Sequence, residues 1–127
     1  MINRIYLGDR SVTGLEINSR DSQVRIKINL ISRLPEISSD WDFYDAEDLI
    51  DGYLVFSGVY YLEISPAGII PGDYIIDYEL NEKKGTGEFI IKTVGQPNNI
   101  HKGNEESIIK IRFHDSWIEN RNKKLVV

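Results

Sequence analysis

The 127-residue chain contains no cysteine, which excludes disulfides, thiolate metal sites and a cysteine nucleophile. His101 and His114 are its only histidines, so the ligands that zinc prefers are too few for a site. No apolar run approaches the roughly 20 residues of a membrane-spanning helix, and residues 1–5 carry no hydrophobic signal segment. These absences predict a soluble, cytoplasmic protein that holds no metal and no cofactor.

Sequence motifs of catalysis are also lacking. The chain has neither a glycine-rich phosphate loop nor a Gly-x-Ser-x-Gly elbow. His114 and Asp115 are adjacent, but neighbours in one strand point to opposite faces and cannot form a base and its orienting group. The acids show no spacing that selects a glycosidase-like carboxylate pair. We therefore expect that the protein is not an enzyme.

Lysine and arginine are missing from the whole stretch between Leu34 and Glu82. That stretch holds twelve of the 20 carboxylates, so it carries a charge of −12, while the rest of the chain is +7 and the total is −5. A surface of one sign attracts a partner of the opposite sign and raises its association rate. The sequence pI of about 5.0 argues against nucleic acid, because phosphate binding needs a basic face.

The acids are densest in residues 36–51, where seven carboxylates alternate with aromatic side chains. Aromatic anchors surrounded by charge are typical of protein-binding faces. The sequence therefore predicts that this segment binds a basic protein partner. The residues proposed to make the contact are Asp40, Trp41, Asp42, Tyr44, Glu47, Asp48 and Asp51.

Two other interpretations of the acidic segment stay open. Hard cations favour clustered carboxylates, but the EF-hand spacing fails because Tyr44 and Asp45 stand where a ligand and a glycine are needed. A calcium site of another design, or a carbohydrate site, remains an alternative for a β-sandwich. The third interpretation is a structural or accessory module without a tight ligand, in which the acids serve solubility alone.

Hydrophobic residues recur mainly with a period of two. Residues 24–30 and 109–114 alternate apolar and polar side chains, as half-buried strands do. The pattern predicts a mainly β protein, with α+β as the alternative: an antiparallel sandwich or open barrel of about eight strands. One short helix is predicted near residues 45–51, capped by Asp45. Residues 1–127 read as a single domain without an internal repeat.

Two predicted strands expose pairs of basic side chains, Arg25 with Lys27 and Lys110 with Arg112. If the two strands are neighbours they form a basic patch. If acidic strands flank them instead, they form cross-strand ion pairs, each contributing about 0.2–1 kcal/mol. We favour ion pairing. Trp117 follows the last predicted strand and is expected to cover one end of the core.

Five blocks recur in this order in a group of small bacterial proteins: Ile5-Tyr6-Leu7-Gly8-Asp9-Arg10, Ile31-Ser32-Arg33, Trp41-x-Phe43-Tyr44-x-x-Glu47-Asp48-Leu49-x-Asp51-Gly52, Val55-Phe56-Ser57-Gly58-Val59 and Pro66-x-Gly68-x-Ile70-Pro71-x-Asp73-Tyr74-Ile75. This uncharacterised group is similar to the immunity proteins of polymorphic toxin systems, and the chain resembles it over most of residues 5–75. The resemblance implies an inhibitor that binds a cognate toxin, and it identifies no functional residue. An acidic, aromatic-containing segment suits occlusion of a basic toxin active site.

Overall fold

The computed structural model describes residue 2 and residues 4–34, 47–95 and 105–126. These residues form nine β-strands and no helix. The strands are β1 (Ile5–Tyr6), β2 (Val12–Asn18), β3 (Gln23–Arg33), β4 (Glu47–Ser57), β5 (Tyr61–Ser65), β6 (Tyr74–Lys83), β7 (Thr86–Val94), β8 (Glu106–Phe113) and β9 (Asp115–Glu119). The prediction of a β protein is confirmed.

The strands form two antiparallel sheets. In the first sheet β3 pairs with β4 on one side and with both β1 and β2 on the other, and β9 follows β4. In the second sheet the order is β5-β8-β7-β6. The sheets are continuous at one corner, because β4 passes into β5 and β8 passes into β9 as one bent ladder. The bends meet at Gly58, where an added Cβ would lie 3.0 Å from the Cβ of His114.

The two halves of the chain follow one pairing scheme. In the first half a hairpin (β2–β3) is followed by β4, which bends into β5; in the second a hairpin (β6–β7) is followed by β8, which bends into β9. β4 pairs with β9 and β5 with β8, so each half contributes its last strand to the other half's sheet. The first strand of each hairpin, β2 or β6, carries a register shift at an equivalent place, between Val12 and Gly14 in β2 and between Ile75 and Asp77 in β6.

The halves also touch where their first strands begin. Ser11 and Tyr74 form an isolated antiparallel bridge. The Val12 amide donates to the Asp73 carbonyl at 2.7 Å, and the Ile75 amide donates to the Arg10 carbonyl at 2.9 Å. The sequence trace of this symmetry is short, Leu15-Glu16-Ile17-Asn18 against Tyr78-Glu79-Leu80-Asn81. The two halves therefore resemble each other in strand pairing more than in sequence.

The core lies between the sheets, where alternate residues of β3, β7 and β8 are buried together with Leu54 and Phe56 of β4. The Phe56 ring is at its centre, with its centroid 5.1 Å from that of Phe89 and 4.8 Å from that of Phe113. Full burial of such a side chain contributes about 1.5–3 kcal/mol. Period-two alternation places these rings on one face of each strand, as the sequence pattern predicts.

One local prediction is wrong. The helix predicted near residues 45–51 is absent from the part of this segment that the structure describes, because residues 47–51 belong to β4. Asp51-Gly52, which has turn chemistry, lies inside the same strand, where Asp51 adopts a φ of +57°. Pairing with β3 overrides these local preferences, since Glu47 to Ile50 match Arg33 to Leu30 in register.

The two basic pairs lie in different sheets and form no common patch, since β3 carries Arg25 and β8 carries Arg112. Arg112 Nε donates to Glu88 of the neighbouring strand β7 at 2.9 Å. The predicted cross-strand ion pairing is confirmed there. Trp117 was expected to follow the last strand and cover one end of the core. It lies instead within the unpredicted strand β9, where its indole N–H donates to Glu119 at 2.9 Å.

Candidate functional site

The predicted partner-binding residues fall into two groups. Glu47, Asp48 and Asp51 lie on the first half of β4. The other four, Asp40, Trp41, Asp42 and Tyr44, lie outside the described residues. We call residues 47–52 the acidic edge. They are the part of β4 that overlaps the predicted binding segment.

Glu47 and Asp48 are each held from the neighbouring strand β3. Arg33 Nη1 donates to Glu47 Oε2 at 3.1 Å, and the Glu47 side chain stays 64% exposed. The Ser32 hydroxyl donates to Asp48 Oδ1 at 2.7 Å. These contacts follow from the register, because Arg33 opposes Glu47 and Ser32 opposes Asp48. Both carboxylates are thus oriented while remaining open to solvent.

Arg10 extends this network into the protein. Its Nη2 donates to Ser32 Oγ at 3.1 Å and its Nη1 donates to the Gly8 carbonyl at 3.0 Å. The guanidinium carbon lies 5.6 Å from the centroid of the Tyr6 ring. The Arg10 Nε atom is buried and has no hydrogen-bond partner among the described residues. Arg10 therefore contacts the same Ser32 hydroxyl that donates to Asp48, a connection that the sequence pattern did not reveal.

Within the part of the chain that the structure describes, the acidic edge has a neighbouring strand on one side only. β9 pairs only with residues 53–57 of β4. Among the residues that the structure describes, positions 47–52 of β4 therefore pair with β3 alone. Ile50 stands 60% exposed here, between Asp48 and Asp51. A strand with one unpaired side offers a row of backbone donors and acceptors to another chain. Here that row is flanked by carboxylates and one exposed aliphatic side chain.

No group of three or more metal-ligating side chains occurs in the ranges that the structure describes. Within the same ranges, no helix has the length and apolar character needed to cross a bilayer. What the acidic edge can do chemically is accept hydrogen bonds and ion pairs from lysine and arginine, while its backbone pairs with an extended segment.

Comparison with known proteins identifies a family for this chain, and that family has no stated activity. Neither the curated proteins nor the solved structures contain a match to this chain. A family of unknown function, DUF6258, matches residues 1–126. Because the match covers nearly all of the sequence, the chain belongs to the DUF6258 family.

Proposed function

We propose that the protein is a non-enzymatic protein-binding domain, an immunity-type inhibitor that occludes the basic active site of a toxin. The observation that carries the proposal is the acidic edge: a half-paired strand whose exposed carboxylates lie within the lysine- and arginine-free stretch of the chain. Strand addition supplies backbone hydrogen bonds, and the acids select a basic partner.

The orientation of the acids supports binding. A free surface carboxylate loses side-chain entropy when a partner fixes it. Glu47 and Asp48 are already positioned by Arg33 and Ser32, so part of that loss has occurred before association. Exposed Ile50 adds an apolar contact that purely solubilising acids would not need.

Electrostatics predicts how the interaction behaves. A basic toxin cleft and the acidic edge attract each other over about one Debye length, roughly 8–10 Å at physiological salt. Association is then fast at low salt and slows as salt rises. The residues of the segment outside the described part, Asp40, Trp41, Asp42 and Tyr44, contribute further charge and aromatic contact under this proposal.

The test compares two triple variants with the same change of charge. Glu47→Lys, Asp48→Lys and Asp51→Asn alter the acidic edge, and asparagine keeps the positive φ at position 51 accessible. Asp77→Lys, Glu79→Lys and Glu106→Gln alter exposed acids elsewhere. The tagged proteins are used to capture partners from lysate of the source cells, and each captured partner is then titrated at low and high salt.

We expect one basic protein to bind the unaltered chain and the control variant, with affinity reduced at least about tenfold, or roughly 1.4 kcal/mol, by the edge variant. Inhibition of that partner's toxic activity by the unaltered chain would complete the case. Equal binding by both variants would exclude the acidic edge as the interface. Capture of no basic protein by the unaltered chain at either salt would contradict the inhibitory role.

A further inference from the structure

The pairing scheme of the two halves creates two equivalent positions in the fold. Rows of paired residues run across each sheet and end on the strand that the other half contributes, β9 in the first sheet and β5 in the second. One row is Ile17, Val24, Phe56 and Ser116, and the equivalent row is Leu80, Phe89, Ile111 and Leu62. In each half a groove can therefore form between the hairpin and the edge strand.

In the second half the chain itself fills the space beside Ser116, although a charged groove of about 350 Å³ at the same hairpin, lined in part by Glu82, Lys83 and Glu88, is open. Ile2 is 4% exposed and belongs to the core cluster. Its backbone amide donates to Ser116 Oγ at 3.0 Å, and the Ser116 hydroxyl donates to Glu82 on β6. An aliphatic residue with a hydrogen-bonded backbone thus closes the space between β9 and the β6–β7 hairpin.

The groove of the first half is open. It has a volume of about 260 Å³ and lies between β5 and the β2–β3 hairpin. Ile17 is 55% exposed and Tyr60 is 56% exposed at its walls, whereas Leu80, the equivalent of Ile17, packs against the core. All of its lining residues, from 17–19, 22–24 and 59–62, are uncharged. We call this feature the open groove.

The edge strands beside the two grooves differ in the same way. The last residues of β9 are covered by the chain, because Glu119 bridges to Leu125 and the Val126 amide donates to the Ile118 carbonyl at 2.9 Å. β5 pairs with β8 and, in the part of the chain that the structure describes, with no strand on its other side. The open groove therefore adjoins an available strand edge.

We propose that the open groove is a second interaction surface, which binds an extended aliphatic segment of a partner protein by addition to the edge of β5. An aliphatic side chain is inferred from the equivalent position of the second half, where the chain places Ile2 beside Ser116; the backbone partner of the occupant is the unpaired edge of β5 in the described part of the chain. The uncharged lining selects an apolar side chain for the groove, since burying a charge there would leave it unpaired.

A second copy of the chain fits this edge poorly. Glu63 is the central residue of β5, so two copies of β5 paired about a two-fold axis would bring two carboxylates face to face. Like charges directly opposite each other destabilise a sheet. A partner segment with lysine or arginine at that position is favoured instead, as Lys110 is on the other side of Glu63.

The open groove and the acidic edge lie at opposite ends of β3 and β4. The groove involves Val24, near the start of β3, while the edge pairs with Arg33 at its end. The nine residue steps from Val24 to Arg33 span roughly 30 Å at about 3.3 Å per residue. The two surfaces can therefore be tested independently, and failure of one leaves the other standing.

The experiment uses the full chain labelled with ¹⁵N and a synthetic peptide with the sequence of residues 1–9, which contains the segment that fills the equivalent groove. We expect the peptide, added to ~1 mM, to shift the amide signals of Ile17, Val59 and Leu62. Ile17→Lys should abolish these shifts. Ile76→Lys, an exposed isoleucine of β6 away from the groove, should leave them unchanged.

Thermal melts check that both variants fold, which we expect because both isoleucines are exposed in the native protein. Three results would overturn the proposal. One is the absence of shifts at the highest peptide concentration. Another is binding that survives Ile17→Lys. The third is self-association in sedimentation velocity that Ile17→Lys removes, because the occupant would then be a second copy of the chain.

Discussion

Arg25 and Glu119 form a two-pronged ion pair on the outer face of the first sheet. Arg25 Nε donates to Glu119 Oε1 at 2.9 Å and Nη2 donates to Oε2 at 3.3 Å. The Glu119 side chain is only 8% exposed, and the Trp117 indole also donates to it. The pair joins β3 to β9 across β4, so it connects the two halves of the chain.

We expect Glu119→Ala to lower the free energy of unfolding by about 3 kcal/mol, because the variant leaves a half-buried guanidinium without its carboxylate. The matched control is Glu47→Ala, which breaks the exposed pair with Arg33 and should cost less than about 1 kcal/mol. Urea unfolding monitored by tryptophan fluorescence measures both. Equal costs would show that burial of the Glu119 pair contributes nothing extra.

The same pair makes stability depend on pH. Burial alone would raise the pKa of Glu119, but hydrogen bonds from Arg25 and Trp117 hold the pKa below its ordinary value of 4.5. A carboxyl whose pKa is lower in the folded state stabilises the fold above its unfolded pKa and loses this contribution as pH falls through the folded pKa. The unfolding free energy should therefore decline below about pH 4.5.

Glu119→Gln should make that decline shallower, because glutamine does not titrate. Some acid dependence should persist, since the hydrogen bond from Arg112 also lowers the pKa of Glu88. Urea titrations across the acidic range in the two proteins measure the difference. An identical pH profile for both would contradict the role of Glu119.

Core packing gives a third prediction. Phe56→Ala should cost about 3–5 kcal/mol, because it removes a fully buried ring that contacts Phe89 and Phe113. Tyr60→Ala is a suitable control, since that ring is mostly exposed. Thermal unfolding by circular dichroism compares the two variants. A small loss for Phe56→Ala would mean that the neighbouring rings collapse into the space.

A fourth prediction concerns glycine at the β6–β7 hairpin. A Cβ on Gly87 would lie 2.4 Å from Cζ of Phe113, a ring held in the core. Gly87→Ala should therefore cost about 1–3 kcal/mol through overpacking. At Gly14 the nearest atom would be Lys27 Cβ at an ordinary 3.5 Å, so Gly14→Ala should be nearly neutral. Denaturant midpoints rank the two, and a reversed ranking would contradict the close approach.

Much of the fold could be predicted because burial imposes period two on the strands. Alternation in residues 24–30 and 109–114 identified β3 and β8. The prediction of a short helix was wrong because acids near a possible cap favour a first helical turn only when strand pairing does not compete. The nine-residue register with β3 supplies that competition.

The candidate site was predictable in its charge and not in its geometry. Twelve carboxylates without a base are visible in the sequence, but the open side of β4 depends on where β9 ends. β9 itself was missed because Asp115, Ser116 and Trp117 lack clear alternation. In the sequence, the similarity of the two halves is visible at only four aligned positions. It is recognised from the hydrogen-bond register of the strands and not from residue identity.

The exchange of last strands between the halves has a consequence for how the chain folds. β4 must find β9, and β5 must find β8, across long stretches of intervening sequence. Loop-closure entropy opposes such non-local contacts before packing can reward them. We therefore expect slow folding, on a time scale of about milliseconds to seconds, in one cooperative step, because neither half can complete a sheet before the other has formed.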